Sequence, residues 1–241
     1  MKVLSLVLIC SIIILGSCRF SGGKRVRGNG ESATQERNVS NFSGIEVSGP
    51  YDVYISQGNN YNVRIEGDEN LLEYIKVETN GDELEIGNRK GYNLRPKVGI
   101  KIYITSPRIE QLDVAGSGSI ISDTKITNNT QLDINIAGSG DVNIREIDSP
   151  EIHAEIGGSG SIKLKGKTES FFAEIAGSGE VQAFDLLSEM TNVDIAGSGD
   201  AEVFASKKLD VNIVGSGDVQ YKGNPELSRS KIGSGDVRKV N

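Results

Sequence analysis

Apolar and polar residues alternate one for one along most of this chain, and the same three residues interrupt the alternation at regular intervals. Gly-Ser-Gly begins at Gly116, Gly138, Gly158, Gly177, Gly197, Gly215 and Gly233, at spacings of 22, 20, 19, 20, 18 and 18 residues. Four and two residues ahead of the first glycine stand pairs such as Leu112 and Val114, Ile134 and Ile136, Ala173 and Ile175, and Val193 and Ile195. Two and four residues beyond the last glycine stand Val142 and Ile144, Ile162 and Leu164, Val181 and Ala183, Ala201 and Val203, and Val219 and Tyr221. The positions between these are mostly polar. A period of two on both sides of a fixed turn predicts strand, tight glycine turn and strand in each unit.

A tripeptide recurring about every 20 residues marks one structural unit per repeat. No 3.6-residue period survives and glycine sits mid-unit, which excludes helical repeats. The pattern predicts an all-β fold, a parallel β-helix or β-solenoid in which each strand pairs with its counterpart one rung away. Rungs about 4.8 Å apart put the repeated turns in a stack roughly 30 Å long. Stacking explains the glycines: an inward corner favours positive φ and leaves no room for a Cβ against the next rung. The serine between them is placed for a hydroxyl ladder. An antiparallel meander of hairpins is the alternative, but it does not demand the same tripeptide every time.

The two ends depart from the pattern. Around Gly233 the inward slots hold Arg229, Lys231 and Lys239, so Arg229 to Asn241 reads as a polar cap that stops end-to-end pairing. Ahead of the repeats, residues 38–107 read as an N-terminal β section and cap. Ile45 to Ile55 resembles a degenerate rung turning at Gly49-Pro50, and Asn80-Gly81-Asp82 signals a hairpin between Val77 and Leu84. Asp68 to Tyr74 fits one helical turn. The repeats with their cap occupy 108–241.

The first residues read as an export signal. Lys2 precedes an apolar run from Val3 to Leu15, broken only by Ser5 and Ser11. Thirteen residues are too few to span a bilayer, which takes about 20, but suit a signal-peptide core. The run ends in Leu15-Gly16-Ser17-Cys18, which resembles the bacterial lipobox. That resemblance implies a signal peptide over 1–17, lipid attachment at Cys18 and anchoring in the outer membrane, facing the periplasm or the cell surface. Residues 18–37, polar and without apolar period, read as a flexible tether, with an edge strand from its last residues as the alternative.

Composition narrows function. The net charge of -7 argues against a nucleic-acid partner. Cys10 leaves with the signal and Cys18 would carry lipid, so the mature chain keeps no thiol for disulfide, zinc or nucleophilic chemistry. The single histidine, His153, points outward by alternation, which leaves neither a transition-metal site nor a catalytic triad. No catalytic residue and no cofactor is expected. Gly-Ser-Gly fails as a phosphate loop, because it lacks the following Lys-Ser/Thr and helix. Just after the turns stand Asp200, Asp218 and Asp236, on successive levels. They are the calcium candidates, by likeness to β-roll repeats that run at nine residues. The alternative is that they are solvated or accept from turn amides. Weak calcium binding or none is expected.

Phe42-Ser-Gly-Ile-Glu-Val-Ser-Gly49, Tyr51-Asp-Val-Tyr-Ile-Ser-Gln-Gly58, the run of Ala-Gly-Ser-Gly units and Gly223-Asn-Pro225 together resemble the "putative auto-transporter adhesin, head GIN domain" family. The resemblance covers about residues 38 to 241. It implies a β-helix-like fold, a Bacteroidetes-type lipoprotein and no catalytic residues. The expected function is therefore a non-enzymatic, envelope-anchored lipoprotein presenting its solenoid surface to a glycan or protein ligand, with the lipid anchor as its membrane contact. The alternatives are a polysaccharide-acting β-helix enzyme, a lyase or hydrolase, and a self-assembling envelope scaffold.

Overall fold

The computed structural model describes residues 23–122 and 124–240. Cys18 and the signal segment lie outside the described residues. What is described is almost entirely β, with one 3-10 helix at Glu69–Tyr74. The strands stack in parallel, in register, around a three-sided coil.

Its first face is the clearest product of the alternation. Gln111–Gly116, Gln131–Gly138 and Glu151–Gly158 lie side by side, and the stack continues through the second parts of Ser161–Gly177 and Glu180–Gly197 to Lys208–Gly215 and Glu226–Gly233. Val114, Ile136, Ile156, Ile175, Ile195 and Ile213 therefore superpose, one per rung, and each is buried. The second face, beyond the turn, superposes Ile120, Val142, Ile162, Val181, Ala201, Val219 and Val237 in the same way. A short third side carries Ile126, Ile147 and Leu186 inward. Buried hydroxyls turn the chain back to the first face: Ser149 donates to the Glu151 carbonyl (2.9 Å) and Thr168 to Pro150 (3.0 Å).

The Gly-Ser-Gly corner divides two demands between its two glycines. The first takes positive φ, as at Gly177 (132°) and Gly197 (134°). The second does not; it is a glycine for want of space. A Cβ on Gly179 would sit 2.5 Å from Cγ2 of Ile156, one rung back. The expectation of positive φ at both is corrected accordingly. The serine amide between them donates to the first glycine's carbonyl of the preceding rung, for example Ser198 to Gly177 and Ser216 to Gly197, each at 2.8 Å. The corner is thus a backbone ladder. A serine hydroxyl contact appears at the last step, between Ser216 and Ser234 (3.1 Å).

The N-terminal section joins the stack out of sequence order. Gly44–Ser48 pairs with Gln111–Gly116 on one edge and with Glu83–Asn88 on the other. Asp52–Gln57 is flanked likewise by Ser119–Ser122 and Lys101–Ser106. The rung formed by 83–106 therefore lies outside the rung formed by 44–57. Between them the chain runs through the antiparallel strand Asn62–Asp68, the 3-10 helix and the hairpin strand Ile75–Asn80, which cover this end. Leu71 and Leu72 of the helix are buried there.

Residues 24–37 are not a tether. Lys24–Arg27 pairs in parallel with Tyr92–Arg95, and Ser32–Arg37 runs antiparallel to Asn62–Asp68. Each strand offers the core one small apolar side chain, Val26 or Ala33, so no periodicity announces it. Its fixed point is Asp68. That carboxylate is fully buried and accepts from the amides of Gly30 (2.7 Å), Lys97 (2.9 Å) and Val98 (3.0 Å). Burial alone pushes its pKa up, but the three amide donors and Lys97 outweigh burial and hold it below the usual carboxylate value.

Candidate functional site

Parallel register turns outward-facing residues into columns that run along the stack. On the first face Glu85, Glu46, Asp113, Asn135, Glu155, Glu174, Asp194 and Asn212 fall in one line. Carboxylates one rung apart repel, and amides interrupt the line. Asn135 donates to Asp113 (2.7 Å), and Asn212 to Asp194 (2.8 Å). At the N-terminal end Glu46, Glu83 and Glu85 bring carboxylate oxygens within 4.8 Å of one another, the one such group among the described residues. Lys76 pairs with Glu85, Asn80 donates to it (2.8 Å), and together they hold its pKa down. Partial burial, then the charges of Glu46 and Asp113, hold Glu83 up.

The calcium candidates lie on the second face on consecutive rungs. The Asp218 amide donates to Asp200 Oδ1 and the Asp236 amide to Asp218 Oδ1, each at 2.8 Å. One oxygen of Asp200 and one of Asp218 are therefore engaged by the backbone of the next rung. His153 lies on the first face; its Nε2 is 2.8 Å from Glu151, and its ring is 4.6 Å from that of Phe172. The acid column lines an open depression of about 320 Å³ at Glu46, Asp113, Asn135 and Glu155, and His153 lines a smaller one of about 180 Å³ with Phe172 and Glu174.

Two open grooves follow the stack. One, of about 440 Å³, runs along the third side past Asp148, Ser149, Lys167 and Glu189. Its central carboxylate is answered: Lys125 and Lys167 both reach Asp148, at 3.0 and 3.2 Å. The other, of about 420 Å³, lies on the second face, where the register shifts between Ile144 and Ile147 and again between Lys163 and Lys165. It is lined by Arg145, Lys163, Lys165 and Lys222, with Asp185 and Glu202, and Phe184 forms part of its wall. Lys222 Nζ stands 4.6 Å over the Phe184 ring. Among the described residues Lys163 and Lys165 make no ion pair. Further along the same face Tyr54 and Tyr103 stack 5.2 Å apart, and the Arg64 guanidinium lies 4.4 Å from the Tyr103 ring.

Sequence reasoning did not single out this groove. The signal was available at the fifth residue after the second to sixth turns, where Arg145, Lys165, Phe184, Phe204 and Lys222 stand. Basic and aromatic residues share that slot, whereas the slot directly after the turn is acidic or serine.

A coil of in-register parallel rungs, with polar columns and open grooves on its flanks, defines the molecule as a β-solenoid. The chain belongs to the family described as "Putative auto-transporter adhesin, head GIN domain", which matches it over residues 41–225. Among solved structures, a "putative lipid binding protein" from Parabacteroides distasonis is 32% identical, with a TM-score of 0.77 over 90% of this chain and 100% of that one. A "putative adhesin" from Bacteroides fragilis is 25% identical, with a TM-score of 0.84 over 89% of this chain and 100% of that one. One from Parabacteroides merdae, at 23% identity and a TM-score of 0.72 over 90% and 99%, shares the fold. No curated protein matches the chain. Among the described residues no helix is long and apolar enough to cross a membrane.

Proposed function

We propose that this chain is a non-catalytic binding protein of the cell envelope, held by a lipid on Cys18, whose solenoid flanks engage a glycan or protein ligand. The observation that carries the reading is the arrangement of polar groups. They run in long outward-facing columns, and the grooves beside them are open, whereas enzyme sites gather perturbed acids and bases at a secluded point. The family's adhesin description supports the same reading. The lipid-binding description of the Parabacteroides distasonis relative is the second reading. The polar and charged lining of both large grooves favours a hydrophilic ligand.

Two experiments test this. Cys18→Ser removes the thiol that would be alkylated, so metabolic labelling with a fatty-acid probe is expected to disappear; persistent label would refute the anchor. Cells with and without the chain are then compared for retention on glycan- and protein-coated surfaces. Equal retention on every surface would refute a binding role.

A further inference from the structure

We infer that the groove on the second face is a binding site for an anionic polysaccharide, laid along the axis of the stack. The inference rests on the binding-protein reading and names its ligand class. Charge comes first. The chain as a whole carries -7, yet this groove sets Lys163, Lys165 and Lys222 against Asp185 and Glu202. Lys163 and Lys165 are exposed and lack an ion-pair partner among the described residues. Cations held together in an acidic protein repel one another, and an anion relieves that repulsion.

The geometry favours a polymer over a small anion. Arg145, Lys165, Phe184, Glu202 and Lys222 come from five successive rungs. Five rungs span roughly 19 Å, and the step of about 4.8 Å is close to the length of one sugar unit in an extended chain. Lys165 stands on the second of these rungs and Lys222 on the last, with the Phe184 ring between. The Phe184 ring holds Lys222 over its face, where the ammonium is placed to meet a carboxylate or sulfate. A single phosphate or lipid headgroup would meet only one of these points. A bilayer surface is flat, whereas this site is a groove of about 420 Å³.

The full chain, purified in detergent, is titrated with polygalacturonate, with heparin, with neutral dextran and with phosphatidylglycerol vesicles. Expected is binding to at least one of the two polyanions, weakening as salt rises, and none to dextran. The double variant Lys163→Glu, Lys165→Glu is expected to weaken polyanion binding about tenfold or more, and Phe184→Ala severalfold, while Lys90→Glu, at the exposed turn near the other end of the stack, leaves it unchanged. All these side chains lie outside the core, so thermal melts are expected to coincide with wild type. Failure of both polyanions to bind, or binding that ignores the lysine reversals, overturns the inference. Vesicle binding that depends on the same lysines while both polyanions fail overturns it in favour of lipid. In each of these cases the binding-protein reading stands if cells still depend on the chain for retention on a coated surface, and falls if they do not.

Discussion

The two ends of the stack face the same physical problem and meet it differently. Each ends in an open row of backbone donors and acceptors that could pair with another molecule. At the N-terminal end the outermost rung is covered by antiparallel strands and a 3-10 helix, with Leu71 and Leu72 buried and Asp68 drawing three amides together. At the C-terminal end no strand among the described residues covers Glu226–Gly233 from outside, and nearly all of its residues are exposed. Instead Arg229 and Lys231 occupy the slots that Val211 and Ile213 fill one rung earlier. One end is protected by burial and the other by charge. Covering an end takes extra chain and reorders the rungs; charging it takes two substitutions in the repeat.

Ordered by size, the expected effects sharpen that contrast. Ile195→Asp places a carboxylate in the central column, two rungs inside the C-terminal end, and is expected to cost roughly 4 kcal/mol or more, abolishing a cooperative melt. Asp194→Ser, one residue away on the outer surface, is expected to cost under about 1 kcal/mol; equal melts would mean the alternation is wrong. Gly217→Ala is expected to cost about 3 kcal/mol, since its Cβ would lie 2.0 Å from the Gly199 carbonyl oxygen. Gly81→Ala, with open space but positive φ, is expected to cost about 1 kcal/mol.

Asp68→Ala removes the shared acceptor of the part-buried Gly30, Lys97 and Val98 amides and is expected to cost about 2 kcal/mol, loosening the N-terminal end alone. Because the folded pKa of Asp68 is depressed, its stabilisation is complete above the unfolded value near 4 and is lost as pH falls through the lower folded value. Acid titration of wild type against Asp68→Ala should therefore converge at low pH. The pair Arg229→Val, Lys231→Val is expected to leave the melt within about 1 kcal/mol while raising self-association in sedimentation. Unchanged association would remove the role assigned to charge at that end. Asp218→Asn keeps an acceptor for the Asp236 amide, and neither it nor added calcium is expected to shift the melt appreciably.

The middle of the molecule was legible because burial there repeats with the period of the sequence. Val114 through Ile213 could be placed in one column from spacing alone, and the Arg229–Lys231 cap from its violation of that spacing. The N-terminal strands were not legible for the converse reason. Lys24–Arg27 and Ser32–Arg37 are edge strands with one half-buried apolar residue each, and their partners are distant in sequence. The order of the first two rungs was hidden too, since both 44–57 and 83–106 carry the same alternation and nothing local says which lies outside. The cationic groove depends on register shifts at Ile144/Ile147 and Lys163/Lys165, which no periodic reading contains.

Native-state hydrogen exchange along the full chain tests the central contrast most directly. An end held by buried packing should open less readily than one held off by charge. The expected result is a gradient in which the amides of 226–239 exchange first, those of 208–215 next, and those of 44–48 and 83–88 among the last. Exchange at 83–88 as fast as at 226–233, or a gradient of opposite sense, would contradict the account.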